Sequence, residues 1–271
     1  MKKITGVGPY LYAAAIAAFG VTQLVMQNFL TGMLPVPSTL PLRPFWVDLS
    51  SAIFIVAAAG IFFRVRQHLA AVLAGVLFFV FFFFLHLPKL LGDIYNPNEW
   101  TAAFETMMLG GGAFIIAANW GTEDPRWDRI TGIAGIASLY LFALSLLVFA
   151  VLHIKYNSYI QTLIPAWMPG HVFLSYVVIA GFLLAAFSFF TNLKVRPAAI
   201  WLGIMYLIWV LTLHGPRAIA KLTAEPEWSS LFVALAVGGV AFCIYQRVTT
   251  SAFGRRSELT AVPAQGAGYH V

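Results

Sequence analysis

The sequence predicts an all-α, polytopic membrane protein with about eight transmembrane helices, arranged as two parallel-repeat four-helix bundles. Three observations predict it. Of 271 residues, 61% are hydrophobic and 10% charged, where soluble domains carry about 25% charged residues. Between polar breaks the apolar runs reach roughly 17–25 residues, enough to cross about 30 Å of hydrocarbon as helix. They are continuously apolar rather than alternating, which favours helices over a barrel. Finally, a set of motifs returns after a constant interval of 128 residues.

The expected spans are 8–28, 47–63, 69–87, 101–118, 132–152, 172–190, 198–214 and 229–246. The first, in "MKKITGVGPYLYAAAIAAFGVTQLV", has the two lysines and apolar stretch of a signal peptide. It has a counterpart at 132–152, where a cleaved leader has no place, so it counts as a span. The second follows the proline-rich "LPVPSTLPLRPFW" and ends at the basic turn "RVRQHL". The third carries the phenylalanine run of "FFVFFFFLHLPKLLGD". The fourth begins at Trp100, an interfacial residue type, and contains Gly110, Gly111 and Gly112, which allow close helix approach.

After a polar linker, expected at 121–130, the order repeats. The sixth span follows "LIPAWMPGH", the seventh ends in "LIWVLTLHGPRAIAKL", and the eighth opens at Trp228 and contains Gly238 and Gly239. A Gly-, Ser-, Ala- and Pro-bearing tail, 248–271, is expected to be flexible and cytoplasmic.

Charge sets the expected orientation. Lys2, Lys3, Arg64, Arg66, Arg126, Arg129, Lys194, Arg196, Arg247, Arg255 and Arg256 fall on one side of this arrangement, and Arg43, Lys89, Lys155, Arg217 and Lys221 on the other. Eleven bases against five place both termini in the cytoplasm of a cell (inner) membrane protein. The basic excess is a membrane-loop bias and does not suggest nucleic acid. Cys243 is the single cysteine, which excludes an internal disulfide and a CxxC thiol relay.

The two halves match in detail. At an offset of 128, His86-x-Pro-Lys89 matches His214-x-Pro-Arg217, and Glu99-Trp100 matches Glu227-Trp228. Gly75, Phe104 and Arg66 match Gly203, Phe232 and Lys194 at that same 128. In the first helices the offset is 130, pairing Phe19 with Phe149 and Gln23 with His153. The implied organisation is a first unit, 1–120, and a second, 131–247, inserted in the same direction because each has an even number of spans.

A proline-rich loop after the first helix, a basic turn between the second and third, and then "HLPKLL…PNEW…F…GGG" resemble the DoxX-like superfamily. The resemblance covers nearly the whole chain as a tandem pair and is better in the first unit. It implies a four-helix membrane unit. The superfamily takes its name from subunits of a thiosulfate:quinone oxidoreductase, while eukaryotic relatives act as cargo receptors or assembly chaperones. The resemblance therefore implies a fold and leaves the function open.

The candidate ligand-binding residues are Gln23, His86, Lys89, Glu105, His153, His214 and Arg217. His86 and His214 sit at helix ends, where a proline two residues on and the helix dipole already account for a histidine. Their alternative role is a polar contact to a ligand, or a symmetric pair of haem ligands. No His-x-x-x-His spacing supports a metal. Lys89 and Arg217 can snorkel to the headgroups, and Asp93, Glu99 and Glu227 are available to pair with them.

Glu105 is the informative residue. It lies about 7 Å inside the Trp100 level at 1.5 Å per residue, where ionisable groups face a bundle interior or a cavity. Its repeat mate is Val233, so the fold does not require an acid there. The expectation is a site in unit one built from Gln23, His86, Lys89 and Glu105, with His86 turned toward Glu105 and Gln23. A sparser set, His153, His214 and Arg217, belongs to unit two.

These features suggest a non-catalytic subunit or small-molecule module that holds a quinone- or lipid-like amphiphile and supports a membrane or periplasmic redox partner. Two alternatives remain: a membrane oxidoreductase subunit with haem or quinone at the outer face, and a membrane-protein assembly factor. No catalytic motif is present, and an activity of its own is not expected.

Overall fold

A computed structural model describes residues 6–260. Among them there is no strand, and eight helices are long and apolar enough to cross a membrane. We label α1 (Gly8–Met26), α2 (Arg43–Phe62), α3 (Gln67–Gly92), α4 (Pro97–Trp120), α5 (Pro125–Lys155), α6 (Asn157–Leu163), α7 (His171–Thr191), α8 (Val195–Ala220) and α9 (Glu225–Thr260). All but the short α6 are the spans. The chain is an all-α, multi-pass membrane protein.

Proline and small polar caps set the helix starts. Pro97 and Pro125 open α4 and α5 at positions whose N–H needs no intrahelical partner. The side chains of Asn96 and Asp124 accept from the backbone N–H two residues on, at 3.0 and 2.8 Å. With α4 running to Trp120 and α5 starting at Pro125, the expected linker 121–130 reduces to residues 121–124. Within the expected tail, 248–271, α9 continues to Thr260, and residues 261–271 lie outside the described residues.

The spans form a closed ring in chain order, α1–α2–α3–α4–α5–α7–α8–α9, with α9 returning to α1 and also packing on α4. Two central helices, α4 and α9, therefore divide the ring. Of their apolar stretches 67% and 78% are buried, against 17–44% for the other six spans. On one side α1–α3 close against this central pair, and on the other α5, α7 and α8 do.

The same backbone devices occur in both halves. A π-helical step spans Phe82–His86 in α3 and Val210–His214 in α8. Pro88 and Pro216 follow at the same distance; a proline ring crowds the preceding turn, and the wider π step relieves that crowding. The N–H groups of Leu87 and Gly215 bond to Phe82 and Val210 carbonyls, five residues back.

Left-handed residues also match: Arg64 and Arg66 between α2 and α3, and Asn192 and Lys194 between α7 and α8. Leu42 and Gly170 precede α2 and α7 in the same conformation. The indole N–H groups of Trp100 and Trp228 donate to the carbonyls of Ile94 and Leu222, at 2.8 and 3.0 Å.

Close helix contacts depend on small residues. A Cβ added to Gly8 would stand 2.6 Å from the Gly239 carbonyl oxygen, so the α1 and α9 backbones nearly touch. The corresponding crossing of α5 on α4 brings Ser138 to Gly111. Tyr12 of α1 donates its hydroxyl to the Leu109 carbonyl of α4 at 2.9 Å, closing the first bundle across its centre.

Candidate functional site

The two bundles differ at the end of the molecule away from Gly8. In the first, the connector after α1 turns inward. Phe29, Leu30, Met33 and Leu34 are all buried and fill the mouth. The carboxylate of Glu225 fastens this plug, accepting from the Thr31 hydroxyl at 2.8 Å and from the Gly32 N–H. Arg43 donates to the Asn28 side chain and lies 5.3 Å from the centre of the Phe29 ring.

In the second bundle the matching connector forms α6, a short lid. The Asn157 amide donates to the Ser175 hydroxyl at 3.1 Å, and Gln161 donates to Asn157 at 2.5 Å, tying the lid to α7. His171 is held to the Pro165 carbonyl at 3.1 Å. Beneath the lid lies a cavity of about 580 Å³, within the range of small-molecule sites.

Its walls are mainly apolar and aromatic, from Phe149, Leu152, Phe182, Trp209 and Val237, with Tyr156 and Tyr159 at the lid. Polar groups converge from four helices: Glu105 of α4, His153 of α5, Ser175 of α7, and Tyr206 and His214 of α8. The His153 ring donates from Nδ1 to the Phe149 carbonyl at 2.8 Å, which leaves Nε2 an acceptor in the neutral ring. His214 Nδ1 is buried without a hydrogen-bond partner. Glu105 and Tyr206 line the same space.

Among the described residues, Glu105 is the only carboxylate in this lining, and no lysine or arginine lines the cavity. The two ion pairs among the described residues both belong to Glu227, which binds Arg217 at 2.8 Å and Lys221 at 3.2 Å. Arg217 thus acts as a partner of Glu227 and not as part of the lining.

The expected four-residue site in unit one is not assembled. Glu105 projects into the second bundle, where it joins His153 and His214. The adjacent residue Thr106 faces the first bundle instead. His86 does turn inward and is fully buried, but toward other partners: its Nε2–H is shared between the Met33 carbonyl at 2.7 Å and the Thr106 hydroxyl oxygen at 3.0 Å. Thr106 in turn donates to Ala102.

Gln23 is fully buried with neither amide atom bonded, and it is not joined to Glu105. Lys89 is exposed. The alternative pairing of His86 and His214 as haem ligands is not assembled. The two rings serve different bundles, and His86 Nε2 is committed to the plug. No group of three or more His, Cys, Asp or Glu side chains suited to a metal occurs among the described residues.

Sequence reasoning missed Tyr206, Trp209 and the lid residues. Tyr206, Trp209 and Leu213 follow one another at helical spacing on one face of α8, ahead of His214. That face was not singled out because Glu105 was assigned to the other bundle. The chain matches no protein-family model, no curated protein and no solved structure.

Proposed function

We propose that this chain is a membrane-embedded binding module that holds a quinone- or lipid-like amphiphile in its second bundle, as a DoxX-like tandem of two four-helix units. The cavity of about 580 Å³ under α6 carries this reading. It offers a long apolar and aromatic wall for a ring or chain, and a few convergent polar groups for a head. The motifs at offset 128, the paired π-helical steps and the paired left-handed turns support a fused duplication.

In this reading both termini are cytoplasmic and the cavity lies toward the outer face of the inner membrane, following the charge asymmetry. The module acts as a subunit for a membrane or periplasmic partner and has no reaction of its own.

The test is ligand binding by the detergent-purified full chain. Decyl-ubiquinone titrated into the protein is expected to quench the fluorescence of Trp209 saturably, and Trp209→Phe to remove that component of the quenching. Mass spectrometry of gently purified protein is expected to find a stoichiometric amphiphile. Linear, non-saturating quenching together with no co-purified small molecule would refute the reading.

A further inference from the structure

We propose that the head group bound in the second-bundle cavity is a protonated amine, with the Glu105 carboxylate as its counter-charge. The inference rests on the binding-module reading and adds the chemical class of the ligand. It begins from charge accounting. A carboxylate in a membrane-spanning helix is costly unless paired, and Glu105 has no ion-pair partner among the described residues. The basic residues nearest in sequence to His214, Arg217 and Lys221, are both held by Glu227 at 2.8 and 3.2 Å. Lys155 is exposed and sits against the ring of Tyr156 at 5.3 Å.

The rest of the lining agrees with a cation that has N–H donors. His153 presents an acceptor nitrogen because its other nitrogen donates to the Phe149 carbonyl. Aromatic rings of Tyr206, Trp209 and Phe182 line the same space, and aromatic faces attract ammonium groups. An anionic head would meet Glu105 with no base to offset it. A neutral carbonyl head would leave the Glu105 carboxylate without a counter-charge. An alkylammonium lipophile satisfies the carboxylate, the imidazole acceptor and the apolar wall together.

The site is also composite. Glu105 belongs to the first half of the chain, while the remaining polar groups named here belong to the second.

The experiment compares 4-butylbenzylamine with 4-butylbenzyl alcohol, two molecules of nearly equal shape that differ in the ammonium. Binding is measured by calorimetry to the full chain in a nonionic detergent at neutral pH. The amine is expected to bind about tenfold more tightly than the alcohol, about 1.4 kcal/mol. Glu105→Gln is expected to bring the ratio to within about twofold. The ratio in the unmodified protein is informative without any variant.

Equal affinity of the two probes in the unmodified protein, or a ratio that survives Glu105→Gln, would overturn the proposal. Binding of decyl-ubiquinone and the alcohol with no preference for the amine would overturn this inference alone. Binding of none of the three would overturn the module reading as well.

Discussion

Glu227 offers a test of the packing beside the cavity, with an internal control in the same molecule. Its carboxylate is 10% exposed and takes Arg217 in a two-oxygen fork, Nε to Oε2 at 2.8 Å and Nη2 to Oε1 at 3.0 Å. Arg217 is 32% exposed and Lys221 61% exposed, at 3.2 Å. Fully exposed pairs contribute roughly 0.2–1 kcal/mol, and breaking a fully buried pair costs about 3–5 kcal/mol. The fork geometry and the covered carboxylate place the Arg217–Glu227 coupling between these, at about 1–2 kcal/mol, with Lys221 adding under about 0.5.

The assay is a double-mutant cycle of Arg217→Gln and Glu227→Gln, read by reversible unfolding in mixed micelles. Lys89 and Glu99, the corresponding residues of the first half, form no ion pair among the described residues, and their cycle is expected to give about zero. A coupling at 217/227 below about 0.3 kcal/mol, or an equal coupling at 89/99, would refute the reasoning.

Two further outcomes follow from the plugged bundle and the arrangement of the spans. His86→Leu leaves the Met33 carbonyl without its buried donor, at a cost of about 1–3 kcal/mol. It should raise amide exchange across residues 29–36 without changing ligand affinity in the other bundle; lost affinity with unchanged exchange would place His86 in the ligand site after all. A cysteine at position 93, in a Cys243→Ser background, should react with an impermeant maleimide only from outside the cell, and labelling confined to the cytoplasmic side would reverse the proposed orientation.

Much of the fold was legible because membrane spans announce themselves by length and apolarity, and eight were expected where eight occur. The end of α3 was not legible: the span was expected to stop at 87, before Pro88, and the helix continues through that proline to Gly92. Nor was the π-helical step, because hydropathy does not distinguish a bond to the fourth residue back from one to the fifth. The lid helix escaped for a related reason. Asn157–Leu163 is seven residues of mixed polarity, too short for periodicity to register. Of the candidate site, His153, His214 and Glu105 were identified, but Glu105 was assigned to the bundle of its own half.

That misassignment has a geometric cause. Helical periodicity says which residues share a face, but not what that face meets. On a peripheral span the polar or lipid-facing side breaks the tie. α4 has no such side, since it stands between two bundles with 67% of its apolar stretch buried. Successive residues on a helix point about 100° apart, so Glu105 and Thr106 enter different bundles from adjacent positions. Thr106 meets His86 in the first, and Glu105 meets the cavity in the second.

The same sharing lets two similar halves differ in their interiors without differing in fold. Because each bundle is closed by both central helices, a substitution in one half changes the interior of the other. Glu105 of the first half brings a carboxylate into the second bundle, while the mouth of the first is filled by Leu30, Met33 and Leu34. The plug has its own anchors in His86 and Glu225, and the helices of the first bundle pack on the opposite side of α4 from the cavity that Glu105 enters.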